Sequence, residues 1–250
     1  MDLQLDGKSA LVLGASRGLG RAIAQGLAAE GAAVTTVARA DSGIAGGQHI
    51  VADLDDPAAP QAIIAAVEAA GKPLDILVLN SGGPPTGSAA ETGPDAFAAV
   101  FDRMFNAQLT LAQAFLPAMR AQGFGRIMAV ASTSVVTPIP GLVLSNAVRA
   151  ALASWCKTLA AEVARDGVTV NLLLPGQIAT DRLESLHAGR AAAMGVAAEE
   201  VMAAARAAVP AGRFGTPQEF ADMATFLASP RAAYVTGCAI RIDGGLTATL

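Results

Sequence analysis

The stretch Ala10-Leu11-Val12-Leu13-Gly14-Ala15-Ser16-Arg17-Gly18-Leu19-Gly20-Arg21-Ala22-Ile23 decides how this chain is read. Four apolar residues suit a buried strand, and the glycine-rich turn after them opens directly into a segment with helical periodicity. Glycines in such a turn let backbone N–H groups approach an anion, and the helix N-terminus behind them carries partial positive charge. The spacing is GxxxGxG rather than the commoner GxGxxG. Two readings follow: a dinucleotide pyrophosphate site, or tight packing of a helix against a sheet.

Outward from this unit, short runs rich in Val, Leu and Ile recur at residues 33–37, 49–52, 76–79, 127–131, 168–174 and 239–242. Helical spacing fills residues 19–30, 57–70, 95–121, 144–165 and 217–228. Strand alternating with helix predicts a single-domain α/β fold, a Rossmann-type doubly wound seven-stranded parallel sheet spanning 1–250. Between the second and third strands, Gly43, Gly46 and Gly47 argue against a full crossover helix. Residues 180–211 form an Ala-rich insertion, interrupted by Gly189 and Gly195, whose place after a strand's C-terminal end suits a lid.

Composition narrows the function classes. The 250 residues are 53% hydrophobic and 15% charged, with a formal net charge of −4. That balance gives no general attraction to nucleic acid or an anionic membrane. No apolar run approaches the roughly 18 residues of a membrane span, and the first ten residues lack an apolar signal region. A soluble, cytoplasmic protein is expected. Cys156 and Cys238 stand far apart with no CxxC or Cys/His spacing, so neither a disulfide framework nor a metal site is expected. Tyrosine occurs once (Tyr234), lysine at Lys8, Lys72 and Lys157, and histidine at His49 and His187. Any chemistry needing these side chains must use those positions.

Further motifs follow in order: Asp53 after the third strand, Asn80-Ser81-Gly82-Gly83 after the fourth, Pro175-Gly176-Gln177-Ile178-Ala179-Thr180 after the sixth, and Tyr234-Val235-Thr236-Gly237 before Asp243-Gly244-Gly245. With these the chain resembles the short-chain dehydrogenase/reductase family over nearly its whole length, and within it the 3-oxoacyl-acyl-carrier-protein reductase type. The resemblance implies that Gly14, Ser16, Arg17, Gly18, Leu19 and Gly20 form the pyrophosphate loop. It implies that Asp53 and Leu54 contact adenine, that Asn80, Ser81 and Gly82 line the adenosine ribose, and that Pro175, Gly176, Ile178 and Thr180 hold the nicotinamide. Asp53 and Thr180 equally read as helix caps.

At the end of the second strand, Val37-Ala38-Arg39 offers a cation where an acid would accept ribose hydroxyls, and Arg17 adds a second. Guanidinium pairs with phosphate bidentately, so NADP(H) is expected over NAD(H).

The catalytic pattern of the resembled family departs here. The family uses Asn, Ser, Tyr and Lys. In this chain the positions hold Met104, Ser132, Ser145 and Arg149, with Asn106 two residues beyond the asparagine position. The usual phenol, acidified by a nearby ammonium, is missing. Arginine does not release its proton at working pH. Tyr234 lies near the last strand, and Lys157 faces away by helical phase. Ser145 and Arg149, at i and i+4, share a helix face. Arg149 reads either as a binder of ribose or of an anionic substrate group, or as an internally paired structural residue.

Three functions remain open. The first is an NADP(H)-dependent oxidoreductase acting on a small carbonyl or hydroxyl compound through a non-standard proton relay, with Ser132, Ser145 and Arg149 at its centre. The others are a lyase or isomerase acting on a keto acid, and a non-catalytic dinucleotide-binding protein. In the insertion, Leu183, Leu186 and Met194 stand beside Arg182 and Arg190, a lining that suits either an apolar or an anionic ligand, and His187 reads as a general base or, more commonly for a lone helix histidine, as a solvated surface residue. Homodimer or homotetramer formation is expected from the apolar positions Leu109, Leu111, Phe115, Leu152, Trp155 and Leu159, on helices that form a dimer interface in the resembled family.

Overall fold

The computed structural model describes residues 1–44 and 46–249. Seven strands form one sheet: β1 Ser9–Leu13, β2 Ala33–Ala38, β3 Gln48–Val51, β4 Ile76–Leu79, β5 Gly125–Val130, β6 Val168–Pro175 and β7 Ala239–Ile242. Every pairing is parallel, and the order is β3-β2-β1-β4-β5-β6-β7. The order reverses between β1 and β4, where Val12 registers with Val78. A crevice therefore opens outside the C-terminal ends of these two strands, the usual ligand position in such sheets.

Both sheet faces are covered, which explains why the strands read as continuous apolar runs rather than alternating ones. Alternation instead divides each strand between two cores. Leu11, Leu13, Leu77 and Leu79 point to one side, beneath α2 (Ala59–Glu68), α4 (Ala107–Ala121) and α5 (Val143–Val163). Ala10, Val12, Ile76 and Val78 point to the other, beneath α1 (Gly18–Ala29) and α8 (Pro217–Ala228). Each fully buried Leu, Ile or Val contributes about 1.5 to 3 kcal/mol. As the three glycines between β2 and β3 predict, the described residues between these strands contain no helix.

Two features differ from expectation. The helix expected over 95–121 is instead α3 (Pro94–Phe101), a π-helical turn over Asp102–Asn106, and then α4. In the insertion, Gly189 lies inside α6 (Asp181–Met194), and only Gly195 ends it, in left-handed conformation with φ +67. A second helix, α7 (Ala198–Ala207), follows. One glycine within a helix costs only about 1 kcal/mol, which neighbouring alanines offset.

The apolar surplus read on α4 and α5 is smaller than expected. Leu111, Phe115, Leu152 and Leu159 are buried in the chain's own core, leaving Leu109 and Trp155 partly exposed. Among the described residues, no helix is long and apolar enough to cross a membrane.

Candidate functional site

The glycine turn folds as its composition demands. Gly14 and Gly18 take φ of +61 and +55, a region that penalises any side chain. Gly20 is restricted differently: a Cβ there would stand 2.3 Å from the Gly14 carbonyl oxygen and 2.7 Å from Asn80 Nδ2. Asn80 braces the turn, its amide donating to the carbonyls of Leu13 at 3.2 Å and Gly14 at 3.3 Å. The sequence motif thus has a mechanical role, tying the end of β4 to the loop after β1. Helix α1 starts at Gly18 with no side-chain cap and no acid in its first turn. Its first N–H groups therefore have no side-chain acceptor, an arrangement that an anion satisfies. Ser16, Arg17 and Leu19 complete the turn, with Arg17 exposed.

The remaining residues implied by resemblance converge on the same end of the sheet. Arg39 ends at 3.7 Å from Asp53, so the cation expected to meet a ribose phosphate rests on an acid. Both side chains are exposed, and such a pair is weak enough for a phosphate to displace. Asp53 also accepts the Asp55 N–H at 3.1 Å, a local turn, while Leu54 packs against the core. Ser81 Oγ accepts from Gln108 Nε2 at 3.2 Å; the buried Gln108 Oε1 has no partner. Gln108 is a neighbour of the site that the sequence reading missed, because glutamine on an apolar helix carries no motif. Gly82 has open space where a side chain would be. On β6, Pro175 precedes Gly176, whose N–H bonds the Ile242 carbonyl at 3.0 Å. Ile178 is buried, and Thr180 caps α6 through the Leu183 N–H. The capping reading of Thr180 therefore holds, and Thr180 also lies 3.6 Å from where a Cβ on Gly18 would sit.

At the end of β5, Ser132 Oγ accepts the Ser134 N–H at 3.1 Å. Across from it, Arg149 is buried and reaches back to the same strand end. Its Nη1 donates to the carbonyls of Val130 at 2.6 Å and Ala131 at 2.8 Å, and its Nε to Ser145 Oγ at 3.2 Å. These bonds bring Ser132, Ser145 and Arg149 into one corner. The guanidinium has no carboxylate within 4.0 Å among the described residues. Burial, followed by the charge of Arg182, pushes its pKa down to about 10, so it remains cationic at neutral pH. Both serine oxygens act as acceptors here, which leaves their hydroxyl protons free to donate elsewhere.

At the asparagine position of the expected pattern the side chain is part of the packing. Met104 is buried with Val100, Leu144 and Val148, while Asn106 points outward to Asp102 at 2.7 Å. Lys157 donates to the Gly237 carbonyl at 2.9 Å, and Tyr234 is fully exposed. Neither substitutes for the missing pair.

His187, expected in solvent, is instead buried. It stacks on Phe214 with ring centroids 6.0 Å apart and bonds Gln177 Oε1 at 3.2 Å. Burial first, and then the charge of Arg190, depress its pKa. A single histidine in an Ala-rich helix shows nothing in sequence of the aromatic ring that meets it.

A seven-stranded doubly wound sheet with a glycine turn at its switch point defines a dinucleotide-binding α/β protein. The family profile described as enoyl-(acyl carrier protein) reductase matches residues 14–247, and the chain belongs to this family, within the short-chain dehydrogenase/reductases. It is 34% identical to the 3-oxoacyl-acyl-carrier-protein reductase FabG of Escherichia coli (strain K12), covering 98% of this chain and 99% of that protein. Among solved structures, L-sorbose reductase from Gluconobacter frateurii, complexed with NADPH and L-sorbose, is similar with TM-score 0.92 and 32% identity, covering 100% of both chains. YwfH, described as an NADPH-dependent reductase involved in bacilysin biosynthesis, gives TM-score 0.92 at 26% identity, covering 98% of this chain and 100% of that one.

Proposed function

We propose that this protein is an NADP(H)-dependent oxidoreductase interconverting a small carbonyl compound and its alcohol without a tyrosine–lysine relay. The observation that carries the reading is the bare, uncapped α1 N-terminus inside a glycine turn too tight for a Cβ at Gly20. A pyrophosphate would meet the backbone of Gly14, Ser16, Arg17, Gly18, Leu19 and Gly20, with Arg39 turned from Asp53 to the 2′-phosphate. Asp53, Leu54, Asn80, Ser81 and Gly82 would line the adenosine half. Pro175, Gly176, Ile178 and Thr180 would line the nicotinamide half. Relatives with NADPH in their descriptions support the choice of cofactor.

When bound, the reduced dinucleotide supplies hydride. The chain's part is to hold the carbonyl oxygen while negative charge builds on it. Ser145 and Ser132 each have an O–H free to donate, and the Arg149 guanidinium lies behind Ser145 at 3.2 Å. Donors fixed before reaction stabilise a developing oxyanion more effectively than water. Neither hydroxyl is acidic enough to act as a phenol does, so the final proton comes from solvent, passed through the serine hydroxyls. The insertion 180–211 acts as a lid over this corner, and the protein assembles as a homodimer or homotetramer through the face carrying Leu109 and Trp155.

The test begins with calorimetric titration of NADPH and NADH, followed by a screen of carbonyl compounds for loss of reduced-nicotinamide absorbance. NADPH should bind more tightly, and Arg39→Ala should weaken it by about 1 to 3 kcal/mol while leaving NADH nearly unchanged. Equal losses reject the phosphate assignment. Binding without turnover of any carbonyl compound favours the non-catalytic alternative.

A further inference from the structure

We infer that His49 is a positioning residue for cofactor selectivity: through Thr36 and Ser42 it holds the turn carrying Arg39 in the form that receives a ribose 2′-phosphate. This inference deepens the NADP(H) reading and rests on it.

β3 is an edge strand of the sheet, and in its register with β2 His49 stands opposite Thr36. Thr36 is fully buried, on the same sheet face as Val34. Its hydroxyl is the centre of a polar cluster, 2.9 Å from Ser42 Oγ, 2.9 Å from His49 Nδ1 and 3.2 Å from the Gln48 carbonyl oxygen. A hydroxyl has one proton and two lone pairs, so the partners sort themselves. The Gln48 carbonyl can only accept, which takes the Thr36 proton. Ser42 and His49 must then both donate, and the ring carries a proton on Nδ1. This is the one arrangement in which all three contacts are hydrogen bonds. His49 Nε2 is buried and has no partner among the described residues, so Nδ1 is the atom that ties the ring into the cluster.

What the cluster holds is a turn. Ser42 is buried and lies six residues beyond Thr36, so the chain leaving β2 at Ala38 folds back at once to bring the serine hydroxyl to mid-strand. Gly43 follows in left-handed conformation, with φ +64, its N–H donating to Asp41 Oδ1 at 3.0 Å. Arg39 is therefore carried on a turn fixed at both ends, by the β2 ladder and by the Ser42 bond, with its guanidinium beside Asp53. A fully satisfied buried network fixes a unique geometry, which an apolar contact of the same volume does not. A cation presented on a fixed turn loses less freedom when phosphate arrives, and only the dinucleotide that carries the 2′-phosphate gains from this.

The experiment measures Kd for NADPH and NADH by calorimetry in the parent, His49→Leu, His49→Asn, Ser42→Ala and Arg39→Ala, with melting curves in parallel. His49→Leu removes the donor and should weaken NADPH about three- to ten-fold while NADH stays within about two-fold. Asparagine places an N–H near the Nδ1 position, so His49→Asn should recover most of the preference. Ser42→Ala cuts the same chain from the other side of Thr36 and should match His49→Leu, which keeps the inference falsifiable if the leucine variant does not fold. In an Arg39→Ala background, His49→Leu should change NADPH affinity no further, because His49 acts through that guanidinium. Equal losses for both dinucleotides, an unchanged ratio, or a full effect of His49→Leu in the absence of Arg39 overturns the inference. A parent with no preference for NADPH takes down the cofactor reading and this inference with it. A parent that prefers NADPH, with a ratio indifferent to Ser42 and His49, leaves the cofactor reading standing and removes only the role of His49.

Discussion

Arg149 Nε donates to Ser145 Oγ at 3.2 Å, one helical turn back along α5. The direction of this bond matters because arginine has no acceptor, so the serine oxygen must receive and its own proton remains available to another acceptor. A tyrosine–lysine pair at these positions would supply an acid. The serine–arginine pair supplies a donor that stays protonated.

Removing that donor should slow the reaction without disturbing the cofactor. Ser145→Ala is expected to lower kcat about 100- to 1,000-fold, as loss of one oxyanion donor does, with NADPH Kd unchanged. Steady-state rates with parallel calorimetry decide it. An unaltered kcat would remove Ser145 from the reacting centre.

Arg149 also carries structural weight. Arg149→Ala leaves the carbonyls of Val130 and Ala131 without their side-chain donor and opens space beside the core, at a cost of about 2 to 4 kcal/mol. A melting temperature lower by roughly 5 to 15 °C should follow for a chain of this size. Arg149→Lys should lose less, since it keeps the charge and one or two of the bonds. Urea titration, read at constant slope, separates lost stability from a changed unfolded state.

Two glycines in the crevice should respond in opposite ways to the same added methyl group. Gly20→Ala places carbon 2.3 Å from the Gly14 oxygen, so the turn must shift and the protein should lose both stability and dinucleotide binding. Gly82→Ala meets nothing within 4 Å. It should melt with the parent yet bind the dinucleotide more weakly, because only the ligand would contact the new methyl. Paired melting and binding curves test both expectations.

The depressed pKa of His187 makes stability depend on pH with a definite sign. The unfolded chain takes up a proton near pH 6.5, while the folded chain resists it to lower pH. Between those values the unfolded state binds more protons, so stability is fully present above pH 6.5 and declines as the pH falls below it. His187→Gln should flatten this part of the melting-temperature profile between pH 8 and 5. Parallel profiles would mean that the ring is protonated in place.

Much of the fold was legible because sheet and helix leave separate periodicities. The runs at 76–79 and 239–242 coincide with β4 and β7, and 217–228 with α8, whose Thr216–Glu219 capping box fixes its start. The π turn at Asp102–Asn106 was not legible. Asp102 to Asn106 contain neither glycine nor proline to mark a change of winding, and only packing shows that Val100 and Met104 face α5 while Leu111 and Phe115 face the sheet. Wider i→i+5 winding lets one continuous rod serve two cores. The glycine turn announced itself through φ restrictions that composition reveals. The bonds of Arg149 to Val130 and Ala131, and that of Arg182 to the Pro84 carbonyl, join residues distant in sequence, and no local pattern encodes them.

The uncapped start of α1 links the protein's persistence to its surroundings. A helix whose leading amides lack internal acceptors is less stable empty than occupied, and any anion that completes it adds RT ln(1 + [L]/Kd) to the folded state. At a hundred-fold excess over Kd that amounts to about 2.7 kcal/mol, a large share of the stability of an ordinary domain. The resistance of this chain to heat and proteolysis would then follow the size of the nucleotide pool, so that cells poor in the cofactor would hold less of the protein.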